Sequence, residues 1–393
     1  MTTPITLPNG RKIGEGEPCF VVAEIGQNHQ GDAYTALRLM KAAHEAGVDA
    51  IKLCKRHVPS DLTRAARDAP YPGPQSFGAT YGEHREALEL SLREYAHFRE
   101  RLEYNEWPEI LFATVCDQHS VDDVKAALDP PLYKIASRDL DNLPLLDYVA
   151  RLGKPMVLST GMAEEYEIRI AIEVIRAHHD QIVVLHCTSE YPTPNQHVGL
   201  QWMAELRDRY EVLVGLSDHT PGIVAAQAAA TLGAVMVEKH ITLARAMKGS
   251  DHAASLEPEG IRRLVRNIRA VDAMRVTPST SRQALADAKQ TSRAKLGRSL
   301  VSRRTIEPGE TITEEMLCLK SPGDGIRWGQ RAQVIDRRSA VWLQEDTTIQ
   351  MSDLLPKDAV VINPGDTLVP FSPEWPNGAK SDEPVGLEEM TNG

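Results

Sequence analysis

The segment Phe20-Val-Val-Ala-Glu-Ile-Gly-Gln-Asn-His29 begins as a buried apolar strand and ends in Glu24, Asn28 and His29, polar groups that no bare core requires. The same ending recurs along the chain. Lys52 and Cys54 close a second apolar run, and Thr114 and Asp117 a third. Lys134, Ser137 and Asp139 follow the fourth, and Ser159 and Thr160 the fifth. His186, Thr188, Ser189 and Glu190 close the sixth; Ser217, Asp218 and His219 the seventh; Glu238, Lys239 and His240 the eighth.

Two kinds of chemistry suit these residues. Lys52 and Lys134 each sit inside an apolar strand, and a buried lysine needs an anionic partner or loses its proton. With neighbouring Ser and Thr hydroxyls they suit a small polyanion, phosphate or carboxylate. His219 and His240 end consecutive strands, so their imidazoles can meet. With a carboxylate and water they would hold a divalent transition metal such as manganese or cobalt; the alternative is two histidines satisfied by hydrogen bonds. That plainer reading is the one adopted for His186 and His252. The spacing is not that of a zinc motif.

Positioning such groups requires strand ends that converge. Candidate strands at 19–26, 50–54, 110–116, 132–137, 155–160, 181–188, 212–218 and 235–241 alternate with helical patterns at Asp32–Ala46, Glu83–Tyr104, Val121–Leu128, Leu143–Leu152, Glu164–His178, Leu200–Tyr210 and Ile223–Leu232, with a closing helix at Pro258–Met274. Gly47, Gly153 and Gly233 stand where C-terminal caps belong. This α/β pattern predicts a (β/α)8 TIM barrel over residues 1–275, whose active sites lie at the carboxyl ends of the strands. An open doubly wound sheet would need an early G-x-G-x-x-G turn, which is missing. Residues 55–82, rich in Pro, Gly, Arg and Asp, form a loop long enough to serve the barrel mouth. A linker is expected at 276–294, a small, mostly β module with Pro-Gly turns at 295–355, and a polar loose tail at 356–393.

Composition narrows the function classes. A net charge of -11 argues against broad contact with nucleic acid or anionic membrane. No apolar run of membrane-spanning length occurs, and Met1 to Gly16 does not resemble a signal peptide. Five cysteines without C-x-x-C or zinc spacing read as reduced thiols, so a cytoplasmic location is expected.

Ala23-Glu-Ile-Gly-Gln-Asn-His-Gln-Gly-Asp32, Thr80-Tyr-Gly-Glu-His84, Leu158-Ser-Thr-Gly-Met162 and His186-Cys-Thr-Ser-Glu-Tyr-Pro-Thr-Pro194 resemble the sialic acid synthase family. So do Gly215-Leu-Ser-Asp-His-Thr220, Glu238-Lys-His-Ile-Thr242 and Lys248-Gly-Ser-Asp-His-Ala-Ala-Ser255. The module from about Lys295 to Leu355 is similar to that family's antifreeze-like (SAF) domain. The resemblance implies an enzyme that condenses phosphoenolpyruvate with an open-chain aldose, N-acetylmannosamine or a related sugar, giving a nonulosonic acid and phosphate. By family position, Lys52, Thr114, Lys134, Ser137, Ser159, Ser189 and Ser217 would hold phosphoenolpyruvate. Glu24, Lys52, Asp139 and Asp251 would be catalytic; Cys54, Asp139, Tyr191, Asp251 and Arg327 would face the sugar. His219 and His240 would hold manganese, with magnesium or cobalt as alternatives. A domain-swapped homodimer is also implied.

Three positions depart from the family pattern. Cys54 replaces a glutamine, Arg138 a glycine, and Ser321 a basic residue before Pro-Gly, with Lys320 or Arg327 as substitutes. All three fall on the acceptor side, so a different aldose is the alternative. A barrel without activity that binds carbohydrate or a protein partner is the competing class.

Overall fold

The computed structural model describes residues 2–275, 281–357 and 359. The chain divides into two compact units, Met1–Pro278 and Ser279–Gly393.

The first unit opens with a hairpin of β1 (Ile5–Thr6) and β2 (Lys12–Ile13). Eight parallel strands follow: β3 (Phe20–Gly26), β4 (Ala50–Lys55), β5 (Ile110–Val115), β6 (Tyr133–Ile135), β7 (Met156–Ser159), β8 (Ile182–Cys187), β9 (Leu213–Asp218) and β10 (Met236–His240). They pair in chain order, and β10 returns to β3 to close the barrel. The (β/α)8 expectation therefore holds. Each strand is short and apolar because its two faces are both covered.

Side chains alternate between those faces. Val21, Ala23, Ile51, Leu53, Val184 and Val237 point outward and pack with the helices in one core. Phe20, Val22, Phe112, Val157, Val183 and Met236 point inward and form a second core. Ile5, Leu7 and Ile13 of the hairpin join that inner core, so the hairpin plugs the amino-terminal end of the barrel. The plug went unforeseen because two-residue strands leave almost no periodic signal.

Helix Ala33–Ala46 begins at Asp32, whose side chain accepts from Thr35 N–H, and ends at Gly47 in the left-handed region. The expected single helix at Glu83–Tyr104 is two, Tyr81–Ala87 and Leu92–Tyr104. Ser91 starts the second: its hydroxyl accepts from Glu94 N–H, and the Glu94 carboxylate accepts from Ser91 N–H. That reciprocal box outweighs continuation of the first helix. Within the loop at 55–82, short helices form at Val58–Asp61 and Arg64–Asp68.

The second unit holds one antiparallel pair, β11 (Ser299–Ser302) with β12 (Leu317–Lys320). Isolated bridges such as Ile306 with Leu343 and Thr311 with Arg338 extend it. Leu300, Ile306, Ile312, Leu317, Val334, Leu343 and Ile349 form its core. Of the stretch expected as a linker, 276–280 lies outside the described residues. The rest carries helices Arg282–Asp287 and Gln290–Leu296, the first capped by the Ser281 hydroxyl. Most of the expected tail, from residue 360, also lies outside the described residues.

Candidate active site

Alternation along each strand sends the polar strand ends into one space. Glu24 continues the inward face of Phe20 and Val22; Lys52 and Cys54 that of Ala50; Thr114 that of Phe112. Glu238 and His240 likewise follow Met236. The result is a cavity of about 240 Å³ at the carboxyl ends of the strands. Glu24, Lys52, Cys54, Thr114, Lys134, Ser137, Ser159, Ser189, Tyr191, Ser217, His219 and His240 all line it.

Lys52 and Lys134 share the carboxylate of Glu238, a strand-end residue. Glu238 Oε1 lies 3.5 Å from Lys134 Nζ, and its Oε2 lies 3.6 Å from Lys52 Nζ. The Ser217 hydroxyl donates to Glu238 Oε1 at 3.0 Å. Lys52 also donates to Thr114 Oγ1 at 2.7 Å and pairs with Glu24 Oε2 at 2.7 Å, while Lys134 donates to Ser159 Oγ at 2.7 Å. The group is buried.

Burial sets the proton affinities and the charges redistribute them. Burial pushes the Glu24 carboxyl up to about 8, with Lys52 pulling it back and Glu238 adding to the rise. Glu238 suffers the same burial, but Lys134, Lys52 and His240 outweigh it and bring it down to about 2. Burial opposes the Lys52 ammonium, yet Glu238 and Glu24 raise its pKa. For Lys134 burial wins over Glu238, and the pKa falls. Around neutral pH Glu238 carries the negative charge and Glu24 keeps its proton.

Ser137 and Ser189 meet at Gly161. Gly161 N–H donates to Ser137 Oγ at 2.9 Å, and Ser189 N–H donates to Gly161 O at 3.2 Å. A Cβ on Gly161 would stand 2.4 Å from Ser189 Oγ and 3.0 Å from Ser137 Oγ. Only glycine lets the two hydroxyls close over this backbone.

The rings of His219 and His240 lie 5.5 Å apart, and the Tyr191 ring lies tilted against His219 at 4.1 Å. The Nδ1 of His219 donates to Thr188 O at 2.9 Å, which leaves Nε2 with its lone pair. Burial would lower the His219 pKa, but the Cys187 thiol 3.8 Å away outweighs it and raises the value. Burial brings His240 down to about 3, and its buried Nδ1 has no hydrogen-bond partner among the described residues. Gly26, at φ +53, turns the end of β3 so that Glu24 and His240 stand side by side; its Cβ would meet Glu24 Oε1 at 3.1 Å and His240 Cε1 at 3.3 Å. Two imidazoles, one of them with an orphaned nitrogen, fit an open metal position whose other ligands are water or substrate. Among the described residues no three His, Cys, Asp or Glu side chains gather to hold an ion by themselves. A closed structural metal site is therefore a poor fit.

The remaining expected residues fall elsewhere. Asp139 is buried behind Arg138, whose Nε lies 3.2 Å from Asp139 Oδ2 and whose other end pairs with Asp61. Burial pushes Asp139 up to about 6, Arg138 pulling it back. Asp251 lies outside the cavity lining and accepts from Ser250 Oγ at 2.7 Å. Arg327 belongs to the second unit, where it precedes the short 3₁₀ helix Trp328–Gln333. Asn28 and His29, which first suggested chemistry, lie outside the cavity lining, and Asn28 is structural, whereas the buried Nε2 of His29 has no hydrogen-bond partner among the described residues. Asn28 donates to Ile241 O and Ser255 Oγ, both at 2.8 Å, and His29 Nδ1 accepts from Gly31 N–H. His186 and His252 are satisfied as expected, by Val198 O and Thr242 Oγ1.

Comparison with known proteins decides the family. Residues 39–278 match the NeuB family. The chain belongs to the NeuB family. It is 36% identical to the human N-acetylneuraminate-9-phosphate synthase over 89% of this chain and 96% of that protein. It is 35% identical to the N,N'-diacetyllegionaminic acid synthase of Legionella pneumophila over 86% of this chain and 94% of that one. Among solved structures, an N-acetylneuraminic acid synthetase from Leptospira borgpetersenii in complex with citrate superposes with a TM-score of 0.62 at 30% identity, covering 75% of this chain and 99% of that chain. This NeuB protein is an enzyme of the sialic acid synthase kind. Among its described residues no helix is long and apolar enough to cross a membrane.

Proposed function

We propose that this NeuB enzyme condenses phosphoenolpyruvate with the open-chain form of an amino-sugar aldose, giving a nonulosonic acid and phosphate. The observation that carries the reading is the pair Lys52 and Lys134 sharing one carboxylate, Glu238, at the base of a cavity walled by hydroxyls. With Glu24 protonated, a second anion is needed to balance both ammonium groups. The phosphate and carboxylate of an enol phosphate supply it.

In this reading the Ser137 and Ser189 hydroxyls, the first held in place by Gly161 N–H, grip one anionic end, and Lys134, Ser159, Lys52 and Thr114 grip the other. That hold fixes C3 of phosphoenolpyruvate over the aldehyde carbon, and orientation supplies much of the rate. C3 bonds to that carbon, the aldehyde oxygen gains a proton, and water adds at C2. The C2–O bond to phosphate then breaks, leaving the α-keto acid. Glu24 stands where it can position that water and pass its proton. His219 and His240 would hold a divalent ion, manganese first among candidates, supplying Lewis acidity to the aldehyde oxygen when bound. Tyr191, beside both imidazoles, lies where sugar hydroxyls would sit.

The sugar itself is a finer question. The human relative is named for a 9-phosphorylated product and the bacterial one for a diacetylated product. Arg138, already committed to Asp61 and Asp139, and the small Cys54 shape the acceptor wall of this chain. These residues favour an aldose other than unmodified N-acetylmannosamine as the second reading. Comparing kcat/KM over N-acetylmannosamine, its 6-phosphate and diacetamido hexoses tests it. The expected homodimer stands as part of the proposal, and sedimentation velocity tests that.

A further inference from the structure

Cys54 and Cys116 face each other across β4 and the end of β5, with Sγ atoms 4.0 Å apart. Cys54 lines the cavity and is partly exposed; Cys116 is buried behind it. The Arg56 guanidinium, itself buried, donates to Cys54 Sγ at 3.2 Å and is held by Glu89 at 3.2 Å. Lys55 also pairs with Glu89 at 3.2 Å, so that carboxylate is spoken for. Neither Arg56 nor Cys116 has a part in the condensation described above.

We propose that Cys54 is an oxidation site, and that hydrogen peroxide reversibly converts Cys54 and Cys116 into a disulfide that draws the Cys54 sulfur out of the sugar-side wall of the cavity. A thiol is oxidised through its thiolate, and a neighbouring cation and hydrogen-bond donor favour that form. Contact with the Cys116 sulfur, then Arg56 and Lys52, outweighs burial and lowers the Cys54 pKa. Access from the cavity and the Arg56 hydrogen bond make Cys54 the attacking sulfur, and Cys116, buried behind it, the resolving one.

The step balances. The Cys54 thiolate attacks a peroxide oxygen, the O–O bond breaks, and hydroxide leaves as water after taking a proton. Cys54 becomes a sulfenic acid. The Cys116 sulfur then attacks Cys54 Sγ, the S–O bond breaks, and a second water carries off the Cys116 proton. Two thiols are oxidised and one peroxide is reduced to two waters. The register pairs Cys54 with Thr114, two residues before Cys116, so backbone movement at the end of β5 together with side-chain rotation must bring the sulfurs from contact to a bond of about 2 Å.

The test uses the full chain without added metal, treated with hydrogen peroxide, alkylated and mapped by peptide mass spectrometry. A Cys54–Cys116 linked peptide is expected before Cys19 or Cys318 reacts, and dithiothreitol should remove it. Cys19, buried and pushed up by that burial, is the inert reference. In Cys116→Ser, dimedone should label Cys54. Cys54→Ser should retain far more of its own untreated rate after peroxide than the parent does, whatever that rate is. Oxidation of Cys187 or Cys318 ahead of Cys54, or no dimedone adduct on Cys54, overturns the proposal. Loss of activity on oxidation rests on the condensing reading, but the linked peptide does not. A linked peptide in a chain that condenses no sugar would refute that reading alone.

Discussion

Lys52 Nζ stands 2.7 Å from Glu24 Oε2, both side chains buried at the floor of the cavity. The pairing joins two adjacent strands, β3 and β4, at the one level where their inward faces turn from apolar to charged. It also ties the binding of an anion to the protonation of Glu24.

Burial raises Glu24 to about 8, so the group is neutral below that pH and a carboxylate above it. A carboxylate beside the lysines repels an arriving enol phosphate. Calorimetric titration with phosphoenolpyruvate, without metal, should show affinity falling as pH rises through about 8. Loss of the Lys134 proton adds to that fall, because burial lowers its pKa. Glu24→Gln should remove the Glu24 contribution and flatten the profile; an unchanged profile rejects it.

Gly161→Ala would thrust a Cβ between Ser189 and Ser137. Phosphoenolpyruvate affinity should fall about tenfold or more, about 1.4 kcal/mol, with the far-ultraviolet circular dichroism unaltered. Equal affinity in the variant would remove Ser137 and Ser189 from the anion grip.

His240→Ala should lose manganese binding, followed by electron paramagnetic resonance of the free ion, while phosphoenolpyruvate still binds. Chelator should abolish parent turnover, and added manganese should restore it. Because the His219 pKa is raised, proton and ion compete there, so manganese affinity should weaken as pH falls. Pair variants that still hold the ion, or turnover that survives chelation, exclude the metal reading.

Lys239 and Asp218 pair at 2.9 Å on the outward faces of β10 and β9, directly behind His240 and His219. Lys239→Met strands a buried carboxylate, a loss of about 3–5 kcal/mol in urea unfolding. Lys239→Met with Asp218→Leu should recover much of that. Equal stability of the single variant and the parent would show that the pair is not buried in solution.

The barrel was legible because apolar runs of β length alternate with helical periods, and the strand ends then had only one face to share. Lys52, Lys134, His219 and His240 followed from that face alone. Glu238 went unassigned although alternation was available to place it: counted from Met236, positions 238 and 240 point inward and Lys239 points out. Asn28 drew notice as a strand-end polar residue, yet polar residues in a turn serve backbone groups as readily as substrates. The split of helix 83–104 was written in Ser91 and Glu94, but a continuous amphipathic pattern masked it. Asp251 and Arg327 depended on loops and a second unit, where no periodicity fixes side-chain placement.

The central claim is that this cavity grips an enol phosphate and joins it to an aldehyde. Its most direct test is phosphate release from phosphoenolpyruvate, with manganese and each aldose of the panel, alongside mass detection of the keto acid. The account predicts phosphate and a nonulosonic acid in equal amounts, only when sugar and phosphoenolpyruvate are both present. Sugar-independent release, or none with any nonulosonic precursor, would contradict it.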